Sequence, residues 1–228
     1  MAGPMIEQPV APPGALGEEE RTARLLELQA ALAGCRACQE AGFIRRANPI
    51  GGEQGIRPIF LLGQAPGERS DLDGIPFAGA SGRVLESWLR RAGFAPGALR
   101  RSVYLSAVTR CDPGRGGSAR GDRPPSRPER ALCAHWWQSE LALIRPRVIL
   151  LAGRLAIEQF FPPAPLEALI GTWREEDGRS LLPLPHPSGV SRWLNAPAHR
   201  ALLERALEQL SRWREQHGLD LPPSKLSA

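Results

Sequence analysis

The chain has 228 residues, 42% of them hydrophobic, with a formal charge of +5 and an isoelectric point near 9.6. That length supports one substantial core. No apolar stretch approaches the ~20 residues a bilayer span needs, and no charged-then-apolar signal segment opens the chain, so the expectation is a soluble, cytoplasmic monomer without a membrane partner. The basic balance fits a polyanionic ligand. It weighs little by itself, because Lys225 is the only lysine and the Arg, Ala, Gly and Pro usage is also what a GC-rich genome writes.

Residues 1–17, rich in Pro, Gly and Ala, predict a disordered leader. Leu25, Leu26, Leu28 and Leu32 recur among charges, giving an amphipathic helix from Glu18 to Leu32 with an acidic start that delivers the chain to Cys35. Residues 44–55 read as loop and edge, and Pro58–Leu62 as the first central strand. A helix from Ser81 sets Val84, Leu85, Trp88 and Leu89 on one face, which makes Trp88 a packing residue. Ser102–Thr109 is the second strand. Residues 112–127, Gly-, Pro- and Arg-rich without apolar anchors, form a mobile surface arm that is either phosphate-contacting or a solvated insertion. A helix over Pro128–Ile144, a third buried strand over Arg147–Gly153 and a short helix over Leu155–Phe161 follow. A turn at Asp177-Gly178 then leads into a strand reaching Leu182, and a long helix over Ala198–His217 closes the domain. The chain thus divides into a leader (1–17), a single domain (18–218) and a loose tail (219–228). Helices alternating with short apolar strands imply an α/β protein, a three-layer α/β/α sandwich around a short parallel sheet with right-handed crossovers.

Two loops carry the chemistry. The apolar run Ile59–Leu62 stops in Gly63-Gln64-Ala65-Pro66-Gly67, and Pro76-Phe77 follows ten residues later. Glycines from Gly63 to Gly82 suit close backbone approach to something flat and something anionic. Near the other end, Pro185-His186-Pro187-Ser188-Gly189-Val190-Ser191-Arg192 fixes a histidine between prolines at a strand end. Ligand chemistry in α/β proteins collects at such carboxyl ends. Four cysteines, Cys35-x-x-Cys38, Cys111 and Cys133, favour metal or redox work over disulfides in a cytoplasmic chain. Unrelated buried thiols are the plain alternative, and Cys₄ spacing suits zinc and iron–sulfur equally.

Together the two loops and the cysteines resemble the uracil-DNA glycosylase superfamily over roughly residues 30–212, and within it the iron–sulfur branch called family 4. The resemblance implies a glycosylase that flips uracil, or another deaminated base such as hypoxanthine, out of single- or double-stranded DNA and hydrolyses its N-glycosidic bond. It also implies a [4Fe–4S] cluster on Cys35, Cys38, Cys111 and Cys133, with structural zinc as the alternative. In that pocket Phe77 stacks on the base against Gly63, Ala65, Pro66 and Gly67, and His186 donates to the base oxygen. Gln64 stands where family 4 has glutamate. It can orient water but not take its proton, so Asp71 is the nearest replacement, with Glu68 and Asp73 behind it. Ala107 stands where family 4 reads the pyrimidine with asparagine, as in the broader family 5. Val190 matches the apolar wedge, Ser188 and Arg192 hold phosphates, and Trp193 packs. The rival expectation is an iron–sulfur protein that binds damaged DNA with weak turnover or none.

Overall fold

The computed structural model describes residues 16–52, 55–116, 122–188 and 192–220. The elements run α1 (Glu18–Ala33), α2 (Ala37–Glu40), β1 (Ile59–Gly63), α3 (Glu68–Asp73), α4 (Ala80–Arg91), α5 (Ala98–Arg101), β2 (Val103–Ala107), α6 (Arg127–Ile144), β3 (Val148–Ala152), α7 (Arg154–Ile157), α8 (Leu166–Leu169), β4 (Arg174–Glu176), β5 (Arg179–Leu184) and α9 (Pro197–His217), with a 3₁₀ turn at Trp193–Asn195. One sheet has the order β2-β1-β3-β5-β4.

The four parallel strands, β2, β1, β3 and β5, are buried along both faces, which is why they read as largely apolar runs rather than alternating ones. Their pleat divides them between two cores. Ile59, Leu61, Val148, Leu150 and Leu182 meet Leu85, Trp88, Leu89, Leu207, Leu210 and Trp213 of α4 and α9. Phe60, Leu62, Tyr104, Ile149 and Leu151 meet Leu25 of α1, Trp137, Leu141 and Ile144 of α6, and Ile157 of α7. This is the three-layer α/β/α sandwich, and Trp88 is a packing residue within it.

Three local expectations are corrected. The sheet is not wholly parallel: β4 runs antiparallel to β5, joined through Asp177 and Gly178 with φ of 49° and 72°, the left-handed pair a tight hairpin turn requires. The second strand stops at Ala107 rather than Thr109: the successive amides of Val108 and Thr109 both donate toward the end of β1, to the carbonyls of Gly63 (2.9 Å) and Gln64 (3.3 Å), where a regular strand would alternate. The arm after Cys111 is anchored at its roots: Arg115 bridges to Asp122 in backbone pairing, Arg115 pairs with Glu68 at 2.7 Å, and Arg123 pairs with Glu129 at 2.7 Å. The arm's tip (117–121), residues 1–15 of the leader and the tail from 221 lie outside the described residues. Leu16 and Leu219, at the two ends of what is described, are buried. Among the described residues no helix is long and apolar enough to cross a membrane.

Candidate functional site

The sheet order sets the carboxyl ends of the parallel strands side by side: Ala107 of β2 is in register with Gly63 of β1, and β3, ending at Ala152-Gly153, lies between β1 and β5. The two motif loops leave from β1 and β5. Phe77 lies against Gly63, whose missing Cβ would fall 2.6 Å from Phe77 Cζ, and His186 lies against Gly153, whose missing Cβ would fall 2.9 Å from His186 Cδ2. The aromatic ring and the imidazole therefore stand over the ends of neighbouring strands.

Phe77 is held in a conformation that non-glycine residues seldom adopt, with φ of 52°. Several groups fix it there. The Arg100 guanidinium donates to the Pro76 carbonyl at 2.7 Å and the Phe77 carbonyl at 3.4 Å, and Ser70 Oγ accepts from the Ala78 amide at 3.3 Å. Gly82 at the start of α4 has no room for a side chain because the Phe77 carbonyl fills that place. The ring packs against the first core yet remains partly exposed. Ala65, Pro66 and Gly67 form the half-buried turn before α3, and the half-buried Gln64 side chain makes no hydrogen bond within the described residues, which leaves it available to a ligand. Asp71 is engaged: its carboxylate accepts from Arg46 at 2.7 Å and Asn48 at 3.0 Å. Glu68 pairs with Arg115 and Asp73 with Arg69. Asp122, not anticipated from the sequence, reaches over from the arm so that a Cβ on Gly67 would meet its Oδ2 at 2.6 Å. Burial, with Asp112 and Glu68 nearby, raises the Asp122 carboxyl above its ordinary range.

His186 is half-buried between Pro185 and Pro187, which are buried. Its Nδ1 accepts from the Ser188 amide at 3.2 Å, so in the neutral ring the proton sits on Nε2, pointing away as a donor. Burial lowers its pKa below the ordinary 6.5, which favours that neutral form. Arg192 is exposed and precedes the 3₁₀ turn, where Trp193 stacks on His199 with ring centroids 4.1 Å apart. Val190 lies outside the described residues.

Beyond the end of β2, Cys35, Cys38, Cys111 and Cys133 border a single recess together with Ile44, Ala47, Pro49 and Glu129. α1 brings the first pair and α6 the last, each packed on the other. Burial above all, with the neighbouring cysteines adding to it, pushes the Cys111 thiol up to about 11 and the Cys133 thiol up to about 12. Such thiols call for a cation to ionise them. Glu129, pushed up by burial, is held at about 2 by Arg123 and Ser126, the latter closing a capping box on α6.

Behind the recess lies a group the sequence reading missed. Arg110 is 2% exposed and pairs with Glu140 at 3.0 Å, a residue itself 1% exposed. It also binds Ser106 and the Ile50 carbonyl, and its amide donates to Cys133 Sγ at 3.2 Å. The signal available was an arginine directly before a cysteine at a strand end, which composition rules assign to the surface.

The family model described as the uracil DNA glycosylase superfamily matches residues 54–211. A protein of Thermotoga maritima named type-4 uracil-DNA glycosylase is 29% identical over 174 residues, covering 75% of this chain and 84% of that protein. Proteins of the same name from Archaeoglobus fulgidus (35% over 103 residues; 45% and 47% covered) and Sulfurisphaera tokodaii (29% over 128; 56% and 53%) match shorter stretches. The matched span takes in both motif loops, all four parallel strands and the glycines under Phe77 and His186, and on that ground the chain belongs to the uracil DNA glycosylase superfamily.

Proposed function

We propose that the chain is a monofunctional uracil-DNA glycosylase of DNA repair, acting as a cytoplasmic monomer on an extruded deaminated base. The observation that carries this reading is the locked neutral imidazole of His186 over β3, beside an aromatic ring over β1. Excision needs the base out of the stack and held. Phe77 stacks on it, while Gly63, Ala65, Pro66 and Gly67 let backbone approach its edge. As the glycosidic bond breaks, its electron pair goes to the base and the sugar becomes cationic. His186 Nε2–H stabilises the charge gathering on the base oxygen, a term worth about 3–4 kcal/mol when one such donor is lost. Gln64, with its side chain uncommitted, orients the water that adds to the sugar carbon. Asp71, occupied by Arg46 and Asn48, contributes negative potential and loop position rather than taking a proton. With Ala107 as the reader, discrimination among bases is looser by ~1–3 kcal/mol than a bidentate side chain would give. Ser188, Val190 and Arg192 meet the flanking backbone and stack.

The four thiols line the walls of one recess, a donor set that suits a [4Fe–4S] cluster, with structural zinc as the alternative. Cys35, Cys38, Cys111 and Cys133 would hold it, and its contribution is to tie α1, α6 and the end of β2 together.

The test is incubation with a uracil-containing oligonucleotide followed by alkali. Strand breakage at uracil, reduced about 10²–10³-fold in His186→Ala with DNA binding retained, is the expected result. Binding without breakage in the unmodified protein would instead identify a damage-binding protein, a reading that Gln64 in the water-orienting position favours.

A further inference from the structure

We infer that Asn48 is a positioning residue that couples the cysteine site to the base pocket, with its backbone amide on Cys111 and its side chain on Asp71. The inference rests on the proposed excision role and adds a residue to it.

The strand end that carries Cys111 already borders the base loop: two residues before it, the Thr109 amide donates to the Gln64 carbonyl at 3.3 Å. The segment around Asn48 is clamped to that strand end. The Ile50 amide donates to the Arg110 carbonyl at 2.7 Å, and Arg110 Nε donates back to the Ile50 carbonyl at 3.1 Å. Ala47 and Pro49, on either side of Asn48, line the recess with the four cysteines. The Asn48 amide itself hydrogen-bonds the Cys111 sulfur.

The half-buried side chain of Asn48 binds a different element. Its Nδ2 donates to the Asp71 carbonyl at 2.8 Å and to Asp71 Oδ1 at 3.0 Å. Both partners are acceptors, so only the amino end of the carboxamide fits there. Asp71 belongs to α3, which lies along the chain between Gln64 and Phe77, the residues proposed to orient water and to stack on the base. From α3 the hold reaches the residue after Phe77, because Ser70 Oγ accepts from the Ala78 amide at 3.3 Å. Arg46 also ties Asp71, at 2.7 Å, but its side chain is 70% exposed, and a pair so open to solvent constrains little. Ligation at Cys111 immobilises the sulfur that Asn48 grips, and α3 is seated on the other end of the same residue. Such coupling is reciprocal, so a nucleotide held in the pocket strengthens the cysteine site in turn.

The experiment uses the intact, metal-loaded protein and Asn48→Asp, which keeps the backbone amide and the side-chain shape but sets an acceptor against two acceptors. The readouts are hydrogen exchange of the peptide spanning α3, steady-state excision of uracil from an oligonucleotide, and the rate at which a chelator removes the metal. The last is taken with and without an oligonucleotide carrying a tetrahydrofuran abasic analogue. The variant is expected to keep the parental metal content, to exchange faster in α3, and to lose about tenfold in kcat, equivalent to ~1.4 kcal/mol, with KM little changed. The oligonucleotide is expected to slow metal release from the parent and to leave the rate of the variant unaltered. Full kcat with parental exchange in α3 overturns the inference. So does a release rate that the oligonucleotide alters equally in both proteins or in neither. If Asn48→Asp lowers the metal content, Asn48→Ser, which deletes the carboxamide without adding charge, is judged by the same readouts. If the parent protein excises nothing, the excision role fails on its own, and metal release decides: slowing confined to the parent upholds the coupling, equal rates remove it.

Discussion

The imidazole of His186 lies across Gly153 so closely that a methyl group on Gly153 would fall 2.9 Å from His186 Cδ2. Gly153 also has φ of 90°, a region costly to side-chain-bearing residues. Gly153→Ala is therefore expected to lose ~1–3 kcal/mol of stability and to lower kcat more than KM, since the displaced group acts on the breaking bond. Thermal unfolding and steady-state excision kinetics measure the two effects; a stable variant with full kcat would show that His186 is not fixed by this contact.

Acid should act on His186 in two ways. Its folded pKa is depressed below 6.5 by burial, so the unfolded chain binds the proton first. The resulting penalty is absent above 6.5, grows as pH falls below it, and levels off once the folded group is protonated as well. The melting temperature of the parent relative to His186→Asn is expected to shrink between about pH 7.5 and about pH 5. Excision is expected to fall over the same range, because the cationic ring loses its Nδ1 bond from Ser188. A difference in melting temperature that is flat with pH would contradict this account.

The buried Arg110–Glu140 pair should be costly to break and cheap to replace. Arg110→Met or Glu140→Met alone leaves one charge stranded and is expected to cost ~3–5 kcal/mol, whereas the double Met variant recovers most of it. A double-mutant cycle by denaturant unfolding gives the coupling, and additive losses would mean the pair is not coupled.

Cys133→Ser is expected to reduce folded yield and iron content together, with loss of the brown colour of Cys-ligated iron, because ligand binding in such sites is folding energy. Soluble protein at full yield without iron would separate the cysteines from folding.

Gln64→Glu places a proton acceptor where the side chain has no internal partner, and a gain in kcat of about tenfold or more is expected from general-base assistance. Asp71→Asn should instead show mainly as a melting shift, through loss of the Arg46 pair. If Asp71→Asn slows excision more than Gln64→Ala does, Asp71 rather than Gln64 governs the water.

Much of this arrangement could be read from the residues. The runs Ile59–Leu62 and Val148–Ala152 are apolar on both faces because helices cover both, and that signal survives without any structure. The two Gly/Pro loops and the four cysteines were legible for the same reason, since their residue types have few other uses. What escaped was what depends on partners distant in sequence. Arg110 is buried only because Glu140, 30 residues on, neutralises it. Asp71 looked like a free acid until Arg46, 25 residues earlier, was seen on it. The left-handed Phe77 and the antiparallel β4 are imposed by Gly82, Arg100 and the Asp177-Gly178 turn, none of which alters local hydrophobic patterning.

The antiparallel β4 has one more effect. Its three residues, Arg174, Glu175 and Glu176, all carry charge, and they form the sheet's outer border beside β5. A foreign strand approaching that border would have to strip water from both signs of charge and match them in register, so fibril-like growth is discouraged at the flank of the sheet that lies nearest the histidine loop.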